Sequence, residues 1–237
     1  MSSVRAAELL VDLVVVARNC AGSLGATLAA VPARELRSVV VVDNGSSDAS
    51  ALVARDAGAV VLFEPVPGYG TACRRAISHM ESLPRPPDVV VFLAADGSAD
   101  PADIPALLEP VRAEGAELVI GVRQPDAGDA APGGAHHERV ALGLIGLIYR
   151  HQFSDLGPSR AIRFPALVAL GLTDRGSGWN AEMQVKALRY GLRIAEVPVA
   201  YHAPLDRGGG SRVTELKDSV STAGRMIFQI LRHATAR

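Results

Sequence analysis

Two carboxylates, Asp96 and Asp100, follow an apolar run that is typical of a buried strand. A hard divalent cation that bridges a diphosphate binds one or two such carboxylates, and phosphate oxygens and water complete its ligand shell. Asp100 also precedes Pro101, and proline favours the first position of a helix, so Asp100 is a natural N-cap. We therefore predict that Asp96 binds the metal and that Asp100 mainly caps a helix.

A second polar cluster has the sequence Asp-Asn-Gly-Ser-Ser-Asp at positions 43–48 and follows a Val-rich run. Its carboxylates and amides would stand at the end of a strand, where they suit the hydroxyls or the imide of a nucleoside. The alternative is a turn followed by a helix that Ser47 or Asp48 caps. The motif by itself leaves both interpretations open.

A third cluster, at positions 67–74, contains Gly68 and Gly70 and opens a helical pattern. Backbone amides at the start of a helix can face an anion. The cluster is not a dinucleotide-binding fingerprint, because it lacks the full glycine spacing, and it lacks the Gly-Lys-Ser/Thr ending of a P-loop. The glycines therefore indicate at most an anion site lined by amides.

Val-rich runs alternate with helical patterns along the chain, and the three clusters lie at the ends of such runs. This alternation predicts an α/β fold with a mainly parallel central sheet and helices on both faces. Ligands of such sheets bind at the carboxyl ends of the strands, so the clusters should meet there. The predicted strands are 11–17, 38–42, 59–63, 88–93, 118–122 and 194–201. The predicted helices are 23–31, 48–57, 71–82, 101–114, 139–151, 180–190 and an amphipathic helix at the C-terminus.

Length and composition restrict the classes of function. The chain has 237 residues, 24 of them basic and 25 acidic, and this balance argues against a nucleic-acid partner. Its two cysteines, Cys20 and Cys73, have the spacing of neither a metal site nor a disulfide framework. We find no signal peptide and no apolar run of the roughly 20 residues that cross a bilayer. We therefore expect one cytoplasmic domain, residues 1–237, with at most a peripheral contact at the inner membrane face.

Several segments keep two interpretations. The apolar helix over 139–151 and the basic C-terminal helix either pack on the domain or face lipid or a second copy in a homodimer. Trp179 is either a core anchor or a platform for a sugar ring. We predict that His136 and His137 are exposed loop residues and not metal ligands. The segment 125–134 is rich in Gly, Ala and Pro, which predicts a loop.

Together the clusters resemble family 2 glycosyltransferases of the GT-A fold. The resemblance is greatest to the polyprenyl-phosphate hexosyltransferases related to dolichol-phosphate mannose synthase, and it covers nearly the whole chain. Besides the three clusters, the matching segments are 17–19, Gly121 with Arg123, 155–157, 179–187 and 206–212.

The resemblance implies an inverting transfer of a hexose from a nucleotide-diphosphate sugar to a polyprenyl phosphate, assisted by Mg²⁺ or Mn²⁺ at Asp96. Residues 1–123 would bind the donor, and residues 135–237 would bind the acceptor. The implied donor-binding residues are Ala17, Arg18, Asn19, Asp43, Gly45, Ser46, Gly70, Ala95, Asp96, Gly97 and Arg123. The implied phosphate- and acceptor-binding residues are Arg139, Arg207, Ser211 and Arg212, and the implied catalytic residues are Asp155, Glu182 and Arg207.

Two positions depart from the family pattern. Ala94 replaces the first acid of the metal-binding DXD motif, and Cys20 replaces an acid that often follows the first loop. These departures motivate a non-catalytic nucleotide-sugar-binding module as one alternative. A second alternative is transfer to a hydroxyl, for which Asp155 or Glu182 would take the proton. A nucleotidyltransferase fits less well, because no basic glycine-rich loop follows the first strand.

Overall fold

A computed structural model describes residues 9–113, 115–125, 136–205 and 212–235 of the chain, with no side-chain detail at 125, 136, 212–220 and 235. Its centre is a seven-stranded sheet in the order β3-β2-β1-β4-β6-β5-β7. The strands are β1 Val11–Ala17, β2 Ser38–Asp43, β3 Val60–Phe63, β4 Val89–Ala94, β5 Leu118–Pro125, β6 Arg160–Arg163 and β7 Ile194–Tyr201.

The first four strands are parallel to one another, and β7 is parallel to β5. Helices connect most of them, as parallel pairing requires. These helices are α1 Ala21–Ala29, α2 Ser50–Asp56, α3 Tyr69–Glu81, α4 Ile104–Ala113, α5 His136–Tyr149, α6 Phe164–Leu170, α7 Trp179–Arg189 and α8 Arg212–Thr235. Short 3-10 helices span Ala33–Glu35 and Pro101–Asp103. The predicted α/β architecture is confirmed.

Both faces of the sheet are covered, because successive strand residues point to opposite sides. In β1, Val14 packs into the core under α3 and α5 to α8, whereas Leu13 and Val15 pack into the core under α1, α2 and α4. In the central strands β1 and β4 nearly every residue is buried, which explains why these strands read as unbroken apolar runs. The segment 125–134 falls almost entirely outside the described residues.

The sequence did not predict one strand, β6, and one helix, α6. β6 spans only Arg160–Arg163 and pairs antiparallel with both β4 and β5, and α6 follows it at once. A run of four residues with arginine at each end has no apolar pattern that marks it as central. The Arg160 side chain is nevertheless fully buried, and its guanidinium donates to the carbonyl oxygens of Leu156 and Gly157.

Helix starts are the other place where sequence and structure differ. Asp100 is an N-cap as predicted, since its side chain accepts from the Ala102 N–H and Pro101 follows it. The N-cap of α2 is Ala49, so the predicted cap at Ser47 or Asp48 is wrong by at least one residue. His136 and His137 begin α5 and do not lie in a loop.

α8 packs against α5 and α7 and buries Met226, Gln229 and Ile230. The Tyr149 hydroxyl at the end of α5 donates to the Ile230 carbonyl at 2.9 Å, which ties the two helices together. Packing on the domain is thus the role of this face of the C-terminal helix. Within the described residues, no helix combines the length and the hydropathy that crossing a bilayer needs.

The turn at Gly157 gives a test of the loop between α5 and β6. A Cβ at position 157 would overlap the carbonyl oxygen of Gly121 in β5. We expect Gly157→Ala to lower the free energy of unfolding by about 2 kcal/mol, because backbone must move to relieve the overlap. Gly143 in α5 has open space around its Cα, so Gly143→Ala should be neutral or stabilising by up to about 1 kcal/mol. Urea unfolding measures both, and equal stability of the two variants would contradict this loop geometry.

Candidate functional site

A cleft of about 480 Å³ lies at the carboxyl ends of β1 and β4, where the sheet topology predicts a ligand. Three groups of residues line it. One group lies at the ends of β1 and β4 and in the residues just after them. Another lies at the starts of α3 and α5. The rest come from α7, α8 and the loops before β6 and α7. The lining residues are Val16, Arg18, Cys20, Tyr69, Ala94, Ala95, Asp96, His137, Glu138, Pro158, Ser177, Asn180, Thr222 and Met226.

The loop after β1 and the turn after β2 hold each other. The Asn19 side-chain oxygen accepts from the Ser47 N–H at 2.8 Å, and the Ser46 hydroxyl accepts from the Asn19 N–H at 3.1 Å. Asn19 adopts a positive φ of 52°, which asparagine tolerates better than most residues. Of the three residues predicted in this loop, Arg18 alone lines the cleft, and Asn19 shapes the loop.

The turn at 43–48 is fixed by its own carboxylates. Asp43 accepts from the Ser46 N–H at 3.0 Å, and Gly45 takes a positive φ of 73° between them. Asp48 accepts from the Ser50 hydroxyl and from the Ala21 N–H, and the Ser50 hydrogen bond is the main cause of the lowered pKa of Asp48. The turn is therefore held rigid by its own side chains, and none of its residues lines the cleft, including the predicted Asp43, Gly45 and Ser46.

Asn44 connects this turn to the glycine-rich segment, a role that the sequence did not reveal. Its amide nitrogen donates to the Glu64 and Val66 carbonyls, and its oxygen accepts from the Gly68 N–H at 2.8 Å. The side chain is buried, so these bonds satisfy polar groups that water does not reach.

The glycines at the start of α3 serve close packing. A Cβ at Gly68 or Gly70 would overlap backbone oxygens of the loop before α7, and the Thr71 N–H donates to the Arg175 carbonyl at 3.2 Å. A protein carbonyl thus takes an amide that we expected to face an anion. Gly70 does not line the cleft, whereas its neighbour Tyr69 does.

Asp96 lines the cleft beside Ala94 and Ala95. Its Oδ1 accepts from the Ser98 N–H at 3.0 Å and from the Ser98 hydroxyl at 2.6 Å, which orients the carboxylate. Gly97 turns the chain with a φ of 78°. The described residues contain no group of three or more His, Cys, Asp or Glu side chains arranged around a metal position.

Arg123 is held by two carboxylates. The Asp155 carboxylate accepts hydrogen bonds from Arg123 Nε at 2.8 Å, from Nη2 at 2.7 Å and from the Arg123 backbone N–H at 3.0 Å. Glu138 also accepts a hydrogen bond from Nη2, at 2.7 Å. Burial alone would lower the pKa of Arg123, but the bonds to Asp155 and Glu138 raise it. Asp155, expected as a proton acceptor, is thereby occupied, and Arg123 is neutralised within the protein.

Glu182 has no exposed surface and does not line the cleft. Its carboxylate accepts from the N–H groups of Thr173 and Asp174 and lies 2.8 Å from the Lys186 ammonium. Burial would raise the pKa of Glu182, but Lys186 and the backbone N–H groups lower it. The geometry does not support a catalytic role for Glu182, because its oxygens hold the loop before α7.

The remaining predicted residues are less informative. Arg139 is exposed on α5 and does not line the cleft. Arg207 and Ser211 lie outside the described residues, as does the side chain of Arg212. Trp179 is 1% exposed within the core, so it is an anchor and not a platform for a sugar ring.

Sequence reasoning missed the far wall of the cleft. This wall consists of His137, Glu138, Ser177, Asn180, Thr222 and Met226. These residues come from α5, α7, α8 and a loop. No local pattern distinguishes the polar ones from surface residues or Met226 from other core residues. Glu138 carried a partial signal, since it stands beside two histidines and Arg139.

Comparison with known proteins agrees with this geometry. Residues 12–167 match the family model of glycosyl transferase family 2. An uncharacterized glycosyltransferase of Mycobacterium tuberculosis is 40% identical over 194 residues, which cover 81% of this chain and 84% of the relative. An undecaprenyl-phosphate mannosyltransferase of Micrococcus luteus is 32% identical over 199 residues, covering 76% of each chain.

The fold also matches solved structures. Glucosyl-3-phosphoglycerate synthase from Mycobacterium tuberculosis, in complex with phosphoglyceric acid, has a TM-score of 0.78 at 21% identity, covering 97% of this chain and 81% of that one. The same enzyme in complex with Mn²⁺, uridine diphosphate and glucosyl-3-phosphoglycerate has a TM-score of 0.78 at 20% identity, with the same coverage. At this identity the likeness establishes the GT-A fold.

The buried Glu182 gives a prediction for stability against pH. Its pKa in the folded protein lies below the ordinary value of 4.5, so its contribution is present above that value and is lost as the pH falls through the lowered pKa. Glu182→Gln should lower the free energy of unfolding by about 3 kcal/mol at pH 7, because Lys186 is left buried without its partner. The difference between variant and wild type should shrink between about pH 5 and pH 3.

Urea unfolding at several pH values measures this difference. Glu35→Gln is the control, because Glu35 pairs with Arg112 at 2.7 Å at a more exposed site. A difference between Glu182→Gln and wild type that stays constant with pH would show that Glu182 does not titrate as its contacts require.

Proposed function

The chain belongs to glycosyl transferase family 2, and we propose that it moves a hexose from a nucleotide-diphosphate sugar to a polyprenyl phosphate with inversion at the anomeric carbon. The observation that carries the proposal is the position of Asp96 in the cleft. It shares the cleft with the loop after β1 and with the wall formed by α5, α7 and α8. We propose that residues 1–123 bind the donor and residues 135–237 the acceptor.

On the donor side, Arg18, Ala95 and Asp96 are the proposed contacts, because they line the cleft. Ala17, Asn19, Asp43, Gly45, Ser46 and Gly97 are proposed to shape the loops that receive the nucleoside. Arg18 is a cation at this end of the cleft and suits a diphosphate. Structures of the fold neighbour that contain uridine diphosphate support a nucleoside diphosphate here.

A divalent cation is the proposed cofactor, and Asp96 is the residue that would hold it. One oriented carboxylate is enough for Mg²⁺ or Mn²⁺ when diphosphate oxygens and water supply the other ligands, so the loss of an acid at Ala94 is compatible with binding. The ion would stabilise the negative charge of the departing diphosphate. Mn²⁺ accompanies uridine diphosphate in the fold neighbour, which supports this choice.

For the acceptor, the engaged carboxylates favour a phosphate over a hydroxyl. Asp155 is bonded to Arg123, and Glu182 is buried, so neither is free to take a proton. A phosphate oxygen is already anionic and needs no base when it attacks the anomeric carbon as the bond to the diphosphate breaks. The mannosyltransferase of Micrococcus luteus, named for undecaprenyl phosphate, supports a polyprenyl carrier.

The phosphate ligands are proposed from the chain between β7 and the first residue of α8. Leu205 is the last described residue before this segment, and its N–H donates to the Asp96 carbonyl at 2.9 Å. Arg207 stands two residues further along the chain, so we keep Arg207, Ser211 and Arg212 as proposed phosphate ligands.

A peripheral membrane contact suits such a lipid acceptor. Leu147 of α5 is 77% exposed, and Phe228 and Leu231 of α8 are 58% and 48% exposed, on two helices that pack together and also line the cleft. The Arg232 guanidinium lies 6.0 Å from the centre of the Phe228 ring, so positive charge accompanies the apolar side chains. We propose that this face rests on an anionic bilayer.

The proposed function is tested with UDP- and GDP-linked hexoses, each with Mg²⁺, Mn²⁺ or chelator. Undecaprenyl phosphate and phosphoglyceric acid are offered as alternative acceptors. We expect metal-dependent transfer to undecaprenyl phosphate, and Asp96→Asn should reduce its rate about 100-fold because the diphosphate loses charge stabilisation. Asp100→Asn is the matched control, since asparagine also caps a helix. Nucleotide binding without any turnover would favour the non-catalytic module, and transfer only to phosphoglyceric acid would overturn the lipid acceptor.

The membrane contact is tested by co-sedimentation with vesicles of phosphatidylcholine and phosphatidylglycerol. Leu147→Glu should weaken vesicle binding about tenfold, because it removes buried apolar area and adds a charge that the lipid repels. Leu52 in α2 is 57% exposed outside this face, so Leu52→Glu is the matched control and should bind like wild type. Equal binding of the two variants would contradict the proposed face.

A further inference from the structure

We infer that Glu138 selects the donor sugar, by accepting a hydrogen bond from a hexose hydroxyl and by excluding sugars that carry a carboxylate. The inference rests on the proposed function, because it assigns the sugar end of the same cleft. Glu138 stands in the first turn of α5 and lines the cleft together with Asp96. With the diphosphate at Arg18 and Asp96, as in the proposed function, the sugar of the donor would lie on the side of the far wall.

Glu138 is held in place within this wall. Its Oε2 lies 2.7 Å from Arg123 Nη2, and Asp155 binds the same guanidinium from the other side. The side chains of Glu138, Arg123 and Asp155 are 19%, 12% and 7% exposed. A carboxylate that is fixed by a buried partner loses little conformational entropy when a ligand binds, which favours specific recognition.

The charge of this group points to the class of sugar. The positive charges of Arg123 and of the buried Arg160, which interacts with Asp155, balance the two carboxylates of the group. Glu138 alone of these residues lines the cleft, so its carboxylate is the charge that a ligand meets there. Among the described residues, Arg123 is the one hydrogen-bond donor found on the Glu138 carboxylate, which leaves capacity for a ligand. Hexose hydroxyls are donors that match it, whereas the carboxylate of a uronic acid would be repelled.

The neighbouring wall is consistent with a neutral sugar. Ser177, Asn180 and Thr222 are uncharged side chains that both donate and accept hydrogen bonds. His137 and Arg139 flank Glu138 on α5, and of these two His137 lines the cleft, as does Tyr69 at the start of α3. The cation Arg18 stands with the donor loops, where it faces the diphosphate in the proposed function.

This assignment is tested by equilibrium binding to wild type and to Glu138→Gln. The ligands are UDP, UDP-glucose and UDP-glucuronate. If UDP does not bind, they are GDP, GDP-mannose and GDP-glucose. Wild type should bind UDP-glucose more tightly than UDP-glucuronate. Glu138→Gln should weaken UDP-glucose about tenfold, since a charge-assisted hydrogen bond is lost, and should leave UDP unchanged. The variant should also discriminate less between glucose and glucuronate.

The pattern across the ligands separates the possible roles of Glu138. A purely structural role would weaken UDP and UDP-glucose equally, and a role only in proton transfer would change neither affinity, so either result overturns the inference. With the guanosine series, weaker binding of both hexose donors with unchanged GDP supports it, and equal loss overturns it. Glu35→Gln is the control, because it removes a carboxylate from an arginine pair outside the cleft. If neither nucleotide binds wild type, the proposed function itself fails.

Discussion

The position of the loop at 171–178 depends on the buried carboxylate of Glu182. This loop runs from α6 to α7, and its backbone N–H groups at Thr173 and Asp174 point at that carboxylate. A charge without solvent is stable only when hydrogen bonds and a counter-ion surround it, and Lys186 one helical turn along α7 supplies the counter-ion. The loop therefore has one position in which this charge is satisfied.

Several parts of the cleft follow from that position. The loop backbone presses on Gly68 and Gly70, so it fixes the start of α3 and the nearby Tyr69. Asp174 accepts from the Gln229 side chain at 3.1 Å, which brings α8 to the same place. Tyr69, Ser177, Thr222 and Met226 thereby reach one cleft although they are distant in the chain.

Side chains that look like ligands often position other groups in this protein. Asn19 and Asn44 use their amides on neighbouring backbone, Asp43 and Asp48 tie their own turn, and Asp155 is occupied by Arg123. Polar groups at the end of a buried sheet must satisfy one another before they can meet a substrate. The residues available to a ligand are those that line the cleft, such as Arg18, Asp96 and Glu138.

The sequence by itself determined the layers and the place of the site. Val-rich runs need burial on both faces, which specifies a parallel sheet between helices, and polar clusters after β1, β2 and β4 then meet at one edge. The N-cap at Asp100 before Pro101 was equally evident from the local sequence, and Asp96 became a candidate because it stands just after the end of β4. Only the tertiary structure decided that β6 enters the sheet between β4 and β5, and that Asp155 and Glu182 are occupied while Glu138 faces the cleft. The physical reason is that the partner of a buried charge is set by packing between distant segments, such as Arg123 with Asp155, and no local pattern encodes it.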